Sequence, residues 1–171
     1  MIDPSYAITM AQYNAWQNET MTAAAATLSA DDLQKDRGAF FGSIMHTASH
    51  LLWGDAFWMS RFAGTLAPDC GIDDSVTFAA TWQDYRPRRK ALDEAILQWS
   101  KTIDSQWLQG ELCWFSGTLG QEICKPTATL VMHFFNHQTH HRGQIHAMLT
   151  AAGAPSQRTD LPFMPQIFAT L

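Results

Sequence analysis

The chain has 171 residues, 46% hydrophobic and 12% aromatic, with only 16% charged. Such a composition can bury a real core, which excludes a disordered chain and predicts one domain over residues 1–171. A net charge of −5 and a pI near 5.7 argue against a nucleic-acid binder, which needs clustered Lys and Arg to meet phosphates.

The start, Met1-Ile-Asp-Pro-Ser-Tyr6, lacks the basic residues and apolar stretch of a signal peptide, and no run of about 18 apolar residues follows. A cytoplasmic protein without membrane contact is therefore expected. Residues 5–28 read as a first long helix, uninterrupted by Gly or Pro, with Tyr6, Met10, Tyr13, Trp16 and Gln17 at helical steps. Ser29 then acts as an N-cap, followed by acids in a new first turn. A second long helix spans residues 40–62. Its apolar positions Ile44, Leu51, Leu52, Phe57, Trp58 and Phe62 nearly surround it, as in a buried bundle helix.

Residues 63–79 hold Gly64, Pro68 and Gly71 among several Asp and read as a connection. A third helix covers residues 81–103, with Pro87 near its start and Leu92, Ile96 and Trp99 on its inner face. The basic run Arg86, Arg88, Arg89 and Lys90, closed by Asp93 and Glu94, is expected to be a solvated helix turn. Leu112–Phe115 and Glu122–Cys124 form two short strands of a hairpin turning near Thr118. That hairpin sets Cys113 opposite or nearly opposite Cys124. A disulfide is geometrically allowed, but two small packed thiols are the expectation in a reducing compartment. With Cys70 the cysteines number three, widely spaced and without a CxxC, so no thiolate zinc site is signalled. A fourth long helix opens at Pro126-Thr127 and stops before Gly153 and Pro155. A short tail then packs on the body. The expected fold is all-α, a four-helix bundle with one long crossover and a small β-hairpin before the last long helix.

All seven histidines fall on two of these helices: His46 and His50 on the second, and His133, His137, His140, His141 and His146 on the fourth. Imidazoles four residues apart sit about 40° apart around a helix and one turn along it, so a pair can share one ion. His46/His50, His133/His137 and His137/His141 all have that spacing, and spacing alone does not choose among them. Only His146 is excluded, because it faces the opposite side of the fourth helix. Several buried imidazoles call for protonation or a shared cation, which favours a metal.

The stretch Asn136-His-Gln-Thr-His-His-Arg-Gly-Gln144 resembles the signature of the DinB/YfiT-like metalloenzyme family. So does Gly42-Ser-Ile-Met-His-Thr-Ala-Ser-His-Leu-Leu-Trp-Gly-Asp55 with Trp58 and Arg61, as do Phe115-Ser-Gly-Thr118 and Thr159-Asp-Leu-Pro162. The resemblance implies one ligand from the second helix and two from the fourth, which here are His50, His137 and His141. His46 stands where the family commonly has a small residue, and is read as a residue at the cavity edge rather than a proton acceptor. His133 and His140 are expected to contact the ligands or to pack, not to bind the ion. Gln144 shares the face of His137 and His141, placed either to orient a ligand or to cap the cavity. Asn136 and Arg142 point away and tie the helix to its neighbours, with Asp55 as a candidate partner for Arg142.

Three neutral imidazoles leave a coordination position open, the condition for catalysis. One divalent transition metal per chain is expected, zinc or nickel first, with iron or copper also compatible. Proteins similar to this one include thiol S-transferases, which implies activation of a low-molecular-weight thiol, or of water, for attack on an electrophile. The competing expectation is a non-catalytic, stress-related metal-binding protein. The resemblance also implies a homodimer.

Overall fold

The computed structural model describes residues 2–117, 119–155 and 157–170. Four long helices, α1 (Pro4–Ala25), α3 (Ile44–Phe62), α4 (Trp82–Ser100) and α6 (Thr127–Ala151), form the bundle. α1 packs on α4 and α6, and α3 packs on the same two, so each helix touches two others around a common interior. Two short helices, α2 (Ala30–Gln34) and α5 (Ser105–Gln109), lead into α3 and the hairpin, and α7 (Gln166–Ala169) is the last described element. Among the described residues no helix is long and apolar enough to cross a membrane.

Side-chain caps set where most helices start. Asp3, Ser29, Ser43, Thr81 and Asp104 each accept a hydrogen bond from a backbone N–H in the following turn. The cap at Ser43 corrects the expected start of the second long helix. Gly42 adopts φ +76°, a left-handed conformation that breaks any helix from residue 40, and Ser43 begins α3 at Ile44. The freed Phe41 folds back over the site described below.

The connection after α3 is more ordered than expected. A 3₁₀ turn, Ile72–Thr77, docks on α3, where Ser49 Oγ donates to Ser75 O (2.9 Å) and accepts from Ala79 N–H (2.9 Å). The tail packs as expected: Gln12, Tyr13 and Gln17 of α1 donate to the carbonyls of Ala169, Thr159 and Arg158.

The hairpin precedes α6, with β1 (Glu111–Ser116) antiparallel to β2 (Gln121–Pro126) and Cys113 paired with Cys124. The turn expected near Thr118 lies outside the described residues. Cys113 and Cys124 are joined in a disulfide, not packed as thiols. Both lie on the exposed face of the ladder, directly opposite each other across the two strands.

The interior has two apolar clusters separated by a polar layer. One cluster includes Met45, Leu51, Leu52, Tyr85, Ile145 and Leu149; the other includes Met59, Phe62, Ile96, Trp99, Phe134 and Phe135. Between them, at the same level on all four long helices, lie Asn14 and Asn18, Asp55, Arg89 and Asp93, and Gln138 and Arg142, all buried. Arg89 donates to Asp55 Oδ2 at 2.6 Å and forms an ion pair with Asp93 Oδ1 at 2.8 Å, while Asn14 and Asn18 donate to the same Asp93 oxygen. Arg89, 2% exposed, and Asp93, 8% exposed, are thus not part of a solvated turn. They sit four apart on the inner face of α4, and the ion pairs offset only part of the cost of burying the carboxylates: burial outweighs the Arg89 guanidinium, raising Asp55 and pushing Asp93 up to about 6. Arg142 donates to Asn14 Oδ1, so the guanidinium paired with Asp55 is that of Arg89.

Candidate metal centre

α3 and α6 pack side by side, and their facing surfaces bring His50, His137 and His141 together. His50 and His141 are buried and His137 is partly exposed. One ring nitrogen from each lies within 4.8 Å of the other two. His137 Nε2 is 3.4 Å from His50 Nε2 and 3.1 Å from His141 Nε2. A tetrahedral ion with metal–nitrogen bonds of about 2.0–2.1 Å sets its ligands roughly 3.3–3.4 Å apart, so this spacing fits.

The opposite ring edges are held. His141 Nδ1–H donates to Gln144 Oε1 (2.8 Å), and His50 Nδ1 lies 2.9 Å from the buried Ser75 hydroxyl. With Nδ1 carrying the proton, both rings present an Nε2 lone pair to the same point. His137 Nε2–H could satisfy only one of them, and a shared cation satisfies all three. Electrostatics agree with that donor set. Burial, reinforced by the His141 imidazole, pushes His50 down to about 4. Burial and the neighbouring His141 and His50 rings push His137 down to about 3. Burial lowers His141 as well, opposed by its bond to Gln144. All three imidazoles are therefore neutral at pH 7, the state a metal ligand requires.

Two contacts shape the space around the rings. Phe41 lies against His50 with ring centroids 4.2 Å apart, and 5.6 Å from His141. Gly54, one turn beyond His50, passes so close to His137 that a Cβ there would meet Cε1 at 3.0 Å. The glycine gives that imidazole its room.

Of the other expected residues, Gln144 is at the site and orients His141, while its amide N–H donates to His140 Nε2 (3.3 Å). His140 is exposed and stands edge-on to His141, with centroids 4.9 Å apart. His133 is exposed and lies edge-on to Trp58, its ring centroid 5.8 Å from that of His137. His46 is half-buried and outside the group of converging nitrogens, and His146 lines a cleft with Tyr13 on the α1 side. Ser75, Phe41 and Gly54 were not among the residues expected from sequence. Ser75 comes from a stretch that reads as loop, and its side chain reaches the site only through the docking by Ser49. Gly54 carried a signal, an isolated glycine inside a helical pattern, which marks a close approach.

A four-helix bundle with three imidazoles converging from two adjacent helices defines a class of helical proteins able to hold a metal ion. The profile of the DinB family matches residues 1–168, and the chain belongs to that family. Its curated relatives include Protein DinB of Bacillus subtilis (strain 168), 26% identical over 163 residues, covering 91% of each chain.

Proposed function

We propose that the chain is a metal-dependent enzyme that activates a low-molecular-weight thiol, or water, for transfer to an electrophile, in the manner of a thiol S-transferase. The observation that carries this reading is the convergence of three Nε2 atoms with no fourth His, Cys, Asp or Glu joining them among the described residues. Three nitrogen donors and an open position are the hallmark of ligand-exchanging sites, whereas structural sites close with four. His50, His137 and His141 would hold the ion, which supplies Lewis acidity that lowers the pKa of a thiol or a water. An all-imidazole set suits zinc or nickel, and also iron or copper.

The chain's own residues supply orientation and shielding. Ser75 and Gln144 fix the planes of His50 and His141, so their lone pairs stay aimed at one point. Phe41 shields the two rings from one side. Its neighbour Phe40, 83% exposed, adds an apolar surface suited to a hydrophobic electrophile.

Metal analysis of the purified protein, followed by a panel of electrophiles offered with several thiols, tests the proposal. One ion per chain, lost in His137→Ala, and thiol-dependent turnover abolished by His141→Ala are expected. Stoichiometric metal without thiol or hydrolytic turnover across the panel would favour a non-catalytic, stress-related metal-binding role.

A further inference from the structure

The two faces of the hairpin have different environments. Leu112, Trp114 and Ile123 are half-buried, and Trp114 meets the Trp58 ring edge-on with centroids 5.8 Å apart. Glu111, Cys113, Phe115, Glu122 and Cys124 are exposed on the other face. The ladder pairs Cys113 directly with Cys124, and the disulfide joins them there. Both cysteines are exposed to a thiolate arriving from solution.

We propose that Cys113–Cys124 is a thiol–disulfide exchange site, reacting reversibly with low-molecular-weight thiols while the chain stays folded. The backbone ladder of β1 and β2 and the inward contact of Trp114 do not involve the sulfurs. Opening the bond therefore leaves the hairpin in register, with the two thiols still opposite each other and ready to reclose. Glu111 and Glu122 share the exposed face with the cysteines, so a cationic thiol such as cysteamine is the best-matched partner.

The reaction balances with that partner alone. A cysteamine thiolate attacks one Sγ, the S–S bond breaks, and the other Sγ leaves as a thiolate that takes a proton from water. A second cysteamine thiolate attacks the cysteamine sulfur of the mixed disulfide, releasing cystamine and the second cysteine thiolate, which is protonated in turn. Two electrons pass from two thiols to the protein, and cystamine drives the reverse. Neither cysteine belongs to the imidazole group, so the site is independent of the metal reading.

The test incubates the intact, folded protein with defined cysteamine/cystamine ratios, quenches with acid, alkylates free thiols and maps them by mass spectrometry. Cys70, free in this structure, serves as the internal reference. Two alkyl groups should appear together on Cys113 and Cys124, disappear again in excess cystamine, and leave the circular dichroism unchanged. Exchange should run within about tenfold of its rate in the urea-unfolded chain, as for an accessible disulfide. In Cys113→Ser, Cys124 should gain the mass of one cysteamine. Exchange slowed beyond about that tenfold in the folded wild-type protein, or two separate mixed disulfides in place of an intramolecular bond under excess cystamine, would overturn the proposal.

Discussion

The Ser75 hydroxyl lies 2.9 Å from His50 Nδ1 and is itself buried. It holds the ring from behind, so that Nε2 faces His137. Ser75→Ala removes this partner without undocking the 3₁₀ turn, because Ser49 bonds the Ser75 carbonyl and the Ala79 N–H. A metal-competition titration should show affinity reduced about 10- to 100-fold, the usual loss when the outer hydrogen bond of a ligating histidine is removed. An unchanged affinity would show that packing alone orients His50.

Gly54→Ala separates folding from metal binding. Alanine is the better helix former by about 0.8–1 kcal/mol, and Gly54 is inside α3. Its Cβ, however, would meet His137 Cε1 at 3.0 Å, and the ring must shift by a few tenths of an ångström to make room. The metal-free variant should melt no lower than wild type, yet bind metal several-fold more weakly. Lower stability with intact affinity would contradict this account of the glycine.

The depressed imidazoles would set the pH dependence of metal binding at this site. A metal ion displaces protons only from ligands that carry them, so affinity falls as pH drops through the ligands' own pKa values. Three ordinary imidazoles near 6.5 would lose about tenfold each at pH 5.5, roughly a thousandfold together. Burial holds His50 at about 4 and His137 at about 3, and lowers His141 too. Affinity should therefore fall far less than about a thousandfold from pH 7 to 5.5, with the losses at His50 and His137 coming only toward pH 4. Isothermal titration at constant ionic strength, corrected for buffer protonation, checks this; a steep loss already at pH 5.5 would mean that the rings are solvated.

The bundle and the imidazole cluster were legible in sequence because both rest on helical periodicity, which places His137, His141 and Gln144 on one face of α6 whatever surrounds them. Which histidine of α3 joins them is a matter of helix packing, and there the motif around His50 was decisive where spacing was not. Ser75 and Phe41 were hidden because each depends on a backbone turn, a 3₁₀ segment in one case and the left-handed Gly42 in the other. Arg89 and Asp93 were misread for a different reason. A charge run at helical spacing has the same pattern whether its inner members face water or a buried partner on another helix, and Asp55, 34 residues earlier, was that partner. Cross-strand pairing of Cys113 with Cys124 was readable from the hairpin, but the bond between them was not.

The polar layer should be the bundle's most sensitive interior position. Arg89 joins α4 to α3 through Asp55, and Asp93 joins α4 to α1 through Asn14 and Asn18. Arg89→Met preserves much of the side-chain volume but strands two buried carboxylates, and removing one side of a buried ion pair costs about 3–5 kcal/mol. That is a large fraction of a domain's net stability, typically about 5–15 kcal/mol. Urea unfolding of the metal-free protein should show it as a much lower midpoint with an unchanged slope. Adding Asp55→Asn and Asp93→Asn removes the stranded charges while keeping side chains able to bond Asn14 and Asn18, so the triple variant should recover most of the loss. If the triple variant is no better than Arg89→Met, the penalty comes from lost packing of the guanidinium and not from uncompensated charge.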